Sequence, residues 1–376
     1  MGGGLGSFIG PVHRMAGILD GQADFVAGAL SSNLEKSKRS GKKIYFDPAR
    51  VYSNYRDMAE KEASLPAGKR IDFVSITTPN VYHFDIAKTF LEAGFHVICD
   101  KPMTCTLAEA RKLRKIVAQT GKVFALTYTY TGYPMVKQAR FMVSSGMLGT
   151  INKVVVEYPQ GWLSRFLEDT AETWRTQVWR LNPELSGAFC TVGDIGTHAE
   201  NLARYITGFK IKELCADLSS FISGNVLDEE GSVILHYIGG AEGLLHISQV
   251  STGEENGLNI KIYGTRMGLY WNQDSANYLV AKMPNGQSVT YSKGAPCLCD
   301  ESKQASRLPL GHPEGVIEAF ANIYREAYKA IRAAMRGESH EGYDFPTVDD
   351  GVIGMAFIES VLVSAASQQK WTLMKR

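Results

Sequence analysis

The sequence predicts an α/β plus α+β protein: an N-terminal doubly wound parallel sheet, then a C-terminal open, mainly antiparallel sheet domain. Three observations carry this. Over roughly the first 125 residues, short apolar runs alternate with helix-period patterns, the signature of βαβ units. Beyond that, strand-like segments follow one another without intervening helices. The chain has 376 residues, more than one ordinary core organises and a good length for two domains. We place the boundary at 126/127, with one domain over 1–126 and a second over 127–376.

In the first half, residues 25–30 (FVAGAL), 71–76 (IDFVSI), 96–99 (HVIC) and 122–126 (KVFAL) read as buried strands. The helices between them are expected over 13–20, 82–93 and 107–120, the last stopped by Gly121. Such a sheet binds ligands at the carboxyl ends of its strands. In the second half, residues 153–158, 232–237, 243–247 and 259–264 read as strands, with Gly239-Gly240 as a hairpin turn. Helices are expected over 197–206, 316–335 and 349–367, and residues 293–313 as the longest irregular loop.

Hydrophobic residues make up 44% and charged residues 21% of the chain, as in ordinary globular proteins. A formal net charge of +1 gives no global field for nucleic acid or anionic membranes. The six cysteines (Cys99, Cys105, Cys190, Cys215, Cys297 and Cys299) contain no C-x-x-C pair, which argues against a zinc site or disulfide framework and for a reducing compartment. No apolar run approaches the ~20 residues that span a bilayer, and the N-terminus lacks a signal-peptide pattern. We therefore expect a cytoplasmic protein with no metal, no nucleic acid and no membrane partner.

The chain opens Met1-Gly2-Gly3-Gly4-Leu5-Gly6-Ser7-Phe8-Ile9-Gly10. Gly2, Gly4 and Ser7 fit a dinucleotide fingerprint with a small third residue; Gly2, Gly4 and Gly10 fit it with a longer turn. Glycines there let backbone approach a pyrophosphate seated on the N–H groups of the following helix, so Gly2, Gly4, Gly6, Ser7, Phe8 and Ile9 are candidate cofactor contacts in a Rossmann arrangement. The bland alternative is a disordered glycine-rich terminus. The fingerprint normally follows a strand and here none precedes it, so either that strand is missing from this sequence or Met1 replaces part of it. At the end of the second strand an acidic residue would bind the ribose hydroxyl of NAD. The chain instead has Ser31 and Ser32, able to bond a hydroxyl, with Lys36, Lys38 and Arg39 suited to a 2′-phosphate. The alternative is a serine helix cap before a solvated basic face. NAD is the expected cofactor and NADP is not excluded.

Two further segments sit directly after strands: Thr77-Thr78-Pro79-Asn80-Val81-Tyr82-His83 and Cys99-Asp100-Lys101-Pro102-Met103-Thr104. Far downstream lies Asp194-Ile195-Gly196-Thr197-His198. In a helix, residues 194 and 198 share one face a turn apart, and Gly187 and Gly193 let the backbone turn in closely. Alone, Asp194 would more simply be a helix cap and Lys101 a surface lysine before a proline.

With the glycine turn, these motifs are in the order of the glucose–fructose oxidoreductase/inositol dehydrogenase (Gfo/Idh/MocA) family, which the chain resembles over its whole length. The segments 127–140, 157–163 and 179–180 resemble the branch that includes levoglucosan dehydrogenase and glycoside 3-dehydrogenases, although Thr129 and Asn182 depart from that branch's usual Asn and Asp. The resemblance implies hydride transfer between a nicotinamide cofactor and a secondary hydroxyl of a sugar, glycoside or cyclic polyol, such as C3 of a glucoside. It implies cofactor contacts at Thr78, Pro79, Asn80, His83, Asp100, Lys101 and Pro102, and a catalytic set of Lys101, Asp194 and His198. Either His198 or Lys101 would accept the hydroxyl proton, an imidazole being suited to it near neutral pH. Asp194 would hold a neighbouring hydroxyl. For the sugar, Tyr130, Trp162 and Trp179 offer aromatic faces, while Arg180 and His312 offer hydrogen bonds; any one of these aromatics is also a plausible core residue. A homo-oligomer, dimer or tetramer, is expected to cover the open sheet. The competing readings are a non-redox sugar- or nucleotide-binding module, and a glycoside-cleaving enzyme that cycles a tightly held NAD internally.

Overall fold

The computed structural model describes residues 1–375 and divides into two compact units, residues 1–129 with 316–352, and residues 130–315 with 353–376.

The first unit begins with a glycine-rich turn and helix α1 (Ile9–Ile18). After it come α2 (Leu34–Lys43), α3 (Tyr55–Ser64), β1 (Phe73–Ile76), α4 (His83–Glu92), β2 (His96–Cys99), α5 (Leu107–Thr120) and β3 (Phe124–Leu126). The three strands form a parallel sheet in the order β1-β2-β3. Val97, Ile98 and Cys99 are fully buried, because a parallel sheet is covered on both faces. Helix α5 shows its local logic in full. Thr106 and Glu109 form a capping box at its start, and Gly121 ends it in the left-handed region at φ 62°. Residues 25–30, expected as a strand, are instead extended backbone whose one ladder contact is an isolated parallel bridge from Gly28 to Val51.

The second unit carries α6 (Pro134–Ser144), β4 (Ile151–Pro159), two four-residue helices α7 (Trp174–Gln177) and α8 (Pro183–Ser186), and α9 (Thr197–Thr207). Seven strands follow in turn: β5 (Ile211–Ser219), β6 (Glu230–Tyr237), β7 (Glu242–Ser248), β8 (Asn259–Gly264), β9 (Gly268–Asn272), β10 (Tyr278–Lys282) and β11 (Ser288–Ser292). With β12 (Thr372–Leu373) they make a nine-stranded sheet in the order β11-β10-β9-β8-β4-β7-β6-β5-β12. Within this sheet only β4 and β7 pair in parallel among the described strands. The Gly239-Gly240 hairpin forms as expected between β6 and β7, both glycines having positive φ. Side chains alternate by face: Val154, Val156, Leu245 and Ile247 are buried, whereas Ile234 (47%), Leu244 (36%) and Tyr263 (44%) are exposed. The stretch 293–313, expected to be irregular, contains α10 (Asp300–Ala305).

The chain then returns to the first unit with α11 (Val316–Met335) and the start of α12 (Val348–Ala365). The sequence pattern assigned 316–335 to the second half. Packing places it elsewhere: Phe320, Tyr324, Tyr328 and Ile331 bury the same core as Val12, Ala16, Ile98 and Val123. The apolar stripe of α11 is thus the lid on one face of the parallel sheet. No described helix is long and apolar enough to cross a membrane.

Candidate active site

The nucleotide side is built where the glycine turn meets α1. Gly2, Gly3 and Gly6 have φ of 72°, 69° and 80°, left-handed values that favour glycine. A Cβ on Gly10 would stand 2.2 Å from the Cα of Gly3. Of the two registers the sequence allows, the one ending at Gly10 therefore meets the need for close turn–helix packing. Ser7 serves differently, its Oγ accepting the Gly10 N–H at 3.3 Å. The Leu5 amide is given to Ser40 Oγ at 3.0 Å, whereas the amides of Gly6 and Phe8 have no partner among the described residues. A buried Thr78 hydroxyl is likewise without a partner. Free amides at a helix start, backbone held open by glycine, and an orphaned hydroxyl at a strand end fit a dinucleotide pyrophosphate. Phe8 projects outward, 83% exposed. Asn33, not either serine, caps α2 by accepting the Lys36 N–H; Ser31 Oγ accepts the Asn33 N–H, and Ser32 is exposed.

The two downstream loops are tied together by one buried side chain. His83 contacts the Pro102 carbonyl through Nδ1 (2.8 Å) and the Thr78 carbonyl through Nε2 (2.9 Å). Burial pushes its pKa down. With both ring nitrogens taken and 1% exposure, His83 shapes the loops that carry Thr78–Asn80 and Asp100–Pro102. Asp100 accepts from the Lys101 N–H and the Thr127 hydroxyl, both at 3.0 Å. Burial alone would raise its pKa, but His13, 3.8 Å away, together with Lys101, holds it well below the usual carboxylate range. His13, which the sequence reading passed over, bonds Tyr324 Oη (2.7 Å) and Ser75 Oγ (3.0 Å) from inside α1. The Lys101–Pro102 peptide is cis.

The second unit holds Asp194 and His198. Gly193 lets the backbone lie against the Phe189 ring, which a Cβ would approach to 2.0 Å. Residues Val192–Gly196 wind as a π-helical turn leading directly into α9, a wider coil that recurs at functional positions. Asp194 is therefore inside the helical run and not its cap. Its Oδ2 receives Gln249 Nε2 at 2.8 Å and Arg180 Nε at 3.1 Å. Gln249 is fully buried. It also donates to Gln160 Oε1 (3.1 Å) and accepts from Thr191 Oγ1 (3.1 Å). Gln160 and Tyr158 converge on Asn256 Oδ1 at 2.6 and 2.8 Å, and Tyr158 bonds the Tyr130 hydroxyl. His198 stands edge-on to Tyr130 at 4.9 Å. Tyr130 itself is buried among Tyr133, Tyr158 and Trp271, and burial raises its pKa to about 12.

The structure thus joins Asp194, Arg180, His198 and Tyr130 through short contacts. Arg180 lies over the half-buried Trp179 ring at 4.7 Å, and Trp162 packs on the small core around Leu163, Phe166 and Trp174. His312 is exposed and bonds only the Leu310 carbonyl at 3.3 Å, so no contact joins it to the Asp194 network. Gln249, Asn256 and Asp228 were not legible in the sequence. Asp228 accepts the Cys190 and Val192 amides at 2.7 and 2.6 Å, bracing the π-turn. No motif marks any of the three, since each reaches the site from a distant strand or loop.

A pyrophosphate-ready helix start on a parallel sheet, together with an acid–histidine pair on a separate sheet unit, defines a nicotinamide-dependent oxidoreductase. Residues 3–128 match the model of an oxidoreductase family with an NAD-binding Rossmann fold, and residues 136–270 match its GFO/IDH/MocA C-terminal domain. The chain belongs to the Gfo/Idh/MocA family. It is 33% identical, over all of its length and 96% of the relative's, to the uncharacterized oxidoreductase YfiI of Bacillus subtilis. It is 25% identical to levoglucosan dehydrogenase of Pseudarthrobacter phenanthrenivorans, covering 77% of this chain and 79% of that one. Among solved structures, an inositol dehydrogenase homolog from Azotobacter vinelandii, in complex with NADH and myo-inositol, superposes with a TM-score of 0.92 at 34% identity, covering 99% of this chain and 96% of that one.

Proposed function

We propose that this oxidoreductase oxidises, reversibly, a secondary hydroxyl of a cyclic polyol, sugar or glycoside. The observation that carries the reading is the Asp194 carboxylate, held at Oδ2 by both Gln249 and Arg180 and one helical turn from His198. A carboxylate and an imidazole so fixed suit a substrate presenting adjacent hydroxyls, because a polar-lined site rejects analogues that leave its own groups unpaired. When bound, NAD supplies the two-electron oxidising power. Asp194 holds one hydroxyl. His198 takes the proton of the hydroxyl being oxidised, and Lys101 contributes positive charge toward the developing alkoxide. The turn from Gly2 to Ile9, with Thr78–Asn80, holds the dinucleotide; Trp179 and Arg180 form one wall for the sugar. The similarity to inositol dehydrogenase homologs from Azotobacter vinelandii supports a cyclic polyol as the first substrate class to test.

We also propose a cytoplasmic homo-oligomer. The outward sheet face mixes Ile234, Leu244 and Tyr263 with the pairs Lys261–Glu157 and His246–Glu230, a composition suited to a second copy.

The test is absorbance at the reduced-nicotinamide band with NAD and a panel of inositols, free hexoses and glucosides. Turnover with at least one cyclic polyol or glycoside is expected. Lys101→Ala should lower turnover at least about a hundredfold while NADH still binds. Near-normal turnover in that variant removes Lys101 from the mechanism, and no absorbance change with any panel member removes the dehydrogenase reading.

A further inference from the structure

The core shared by α1, α11 and the parallel sheet contains one polar island. Val12, Ala16, Phe320 and Ile331 are among the apolar side chains around it. Inside lie His13 of α1, Ser75 of β1 and Tyr324 of α11, all three buried. Polar side chains in such a place cost stability unless they satisfy one another. These three meet in a closed triangle: His13 Nδ1 is 2.7 Å from Tyr324 Oη and 3.0 Å from Ser75 Oγ, and the two hydroxyl oxygens are 2.8 Å apart.

Counting protons fixes how the triangle is wired. Neither hydroxyl has another partner among the described residues, so each places its hydrogen inside the triangle. With a proton on Nδ1 there would be three hydrogens for two oxygens, and one hydroxyl hydrogen would be buried with no acceptor. With Nδ1 bare, Tyr324 donates to it along the shortest edge, Ser75 donates to the Tyr324 oxygen, and both hydrogens are used. The ring's one proton is then on Nε2. That nitrogen has no hydrogen-bond partner among the described residues and lies 3.8 Å from Asp100 Oδ1. The separation is long for a hydrogen bond, yet short enough for the N–H dipole to favour one placement of the carboxylate in a dry core.

We propose that His13 is a positioning residue for Lys101. Tyr324 and Ser75 keep the ring's proton on Nε2 and set the ring's angle, Nε2–H holds the Asp100 carboxylate, and that carboxylate holds the Lys101 peptide at the end of β2. The Asp100 oxygen that faces Nε2 is the one that accepts the Lys101 N–H and the Thr127 hydroxyl, both at 3.0 Å. His13 thus acts through Asp100 and not on the substrate, and the Tyr324 hydroxyl, supplied by α11, bears on the loop that carries Lys101. The inference rests on the reading of Lys101 as part of the reaction.

The test sets His13→Phe against His13→Gln in the full chain. Phe keeps a ring in the apolar core but has no N–H. Gln suits that core less well but carries an N–H at the reach of Nε2. In His13→Phe, hydrogen exchange in the peptide covering 100–105 should speed up at least about tenfold. Its kcat with the best panel substrate should fall at least about tenfold while NADH affinity stays within about threefold of the parent. His13→Gln should recover most of both losses. A packing role reverses the order, so Gln equal to or worse than Phe overturns the proposal, as does unchanged exchange in His13→Phe. Should no panel member turn over on the parent, the dehydrogenase reading falls, while the exchange order of the two variants still decides on His13. Nitrogen-15 spectra of the parent's histidine rings, with the His13 signals assigned by their loss in His13→Gln, need no folded Phe variant: a bare Nδ1 and a protonated Nε2 are expected, and a proton on Nδ1 overturns the wiring and the proposal with it.

Discussion

Replacing Gln249 with Leu tests whether Asp194 works because of where it is held. Gln249 donates to Asp194 Oδ2 at 2.8 Å, and Arg180 Nε lies 3.1 Å from the same oxygen. A hydrogen bond to a charged group is worth about 1.5–3 kcal/mol. Leu fills similar volume and removes the bond, while the contact to Arg180, 36% exposed, stays. If most of that energy serves orientation, kcat/KM should fall by about 10- to 100-fold, each tenfold being about 1.4 kcal/mol. Stability should fall as well, by about 1–3 kcal/mol, because Thr191 and Gln160 lose their partner. Gln249→Glu separates the two effects. It puts a second carboxylate against Asp194, so the pair shares a proton and its upper apparent pKa rises. The acid limb of the pH–rate profile should then move to higher pH. The assay is steady-state NAD reduction with the best panel substrate, beside urea unfolding of each variant. If Gln249→Leu folds and keeps kcat/KM within about twofold of the parent, Gln249 does not position Asp194 for the reaction.

Three further outcomes are expected. Gly10→Ala should weaken NADH binding at least about tenfold by fluorescence titration, since a Cβ 2.2 Å from Gly3 must displace the pyrophosphate turn; unchanged affinity would show that the turn does not form the nucleotide seat. Glu62 is fully buried and accepts from Arg50 Nη2 (2.5 Å), Tyr52 Oη (2.7 Å) and the Ile71 N–H (3.1 Å); Glu62→Ala should cost about 3–5 kcal/mol in urea unfolding, and a loss below about 1 kcal/mol would contradict that accounting. Burial pushes His96 down to about 4, and its Nδ1 accepts the Val123 N–H at 2.9 Å. A depressed folded pKa means its contribution is complete above the unfolded value near 6.5 and is lost as pH falls toward 4, by about 3 kcal/mol in all. His96→Gln should flatten that acid limb, and an unchanged slope between pH 6.5 and 4 would clear His96 of the role.

The parts of the fold visible in the sequence were those dictated locally. Helix α5 could be read from its period and its stop at Gly121, and the β6–β7 hairpin from two adjacent glycines. Residues 25–30 have the apolar composition of a strand, but a strand also requires a paired edge, which lies outside any local window. Strands β9 to β11 escaped for the opposite reason: they are five residues each and their polar outer faces dilute the alternation. The motif residues Lys101, Asp194 and His198 were legible because chemistry restricts their type and spacing. Their supports were not. Gln249 follows β7 and Asp228 precedes β6, far in sequence from Asp194, and any buried amide or carboxylate in a sequence looks like a surface one.

The first unit is discontinuous in the chain, residues 1–129 being completed by 316–352. This imposes an order on synthesis. The nucleotide-binding half leaves the ribosome first, yet the apolar face of Val12, Ala16 and Ile98 has no cover until α11 follows nearly two hundred residues later. At about 5–20 residues per second, that face stays uncovered for roughly 10 to 40 seconds. A nascent chain of this protein is therefore a natural client for chaperones that bind exposed apolar surface, and an expression clone ending at residue 129 would leave that dependence permanent.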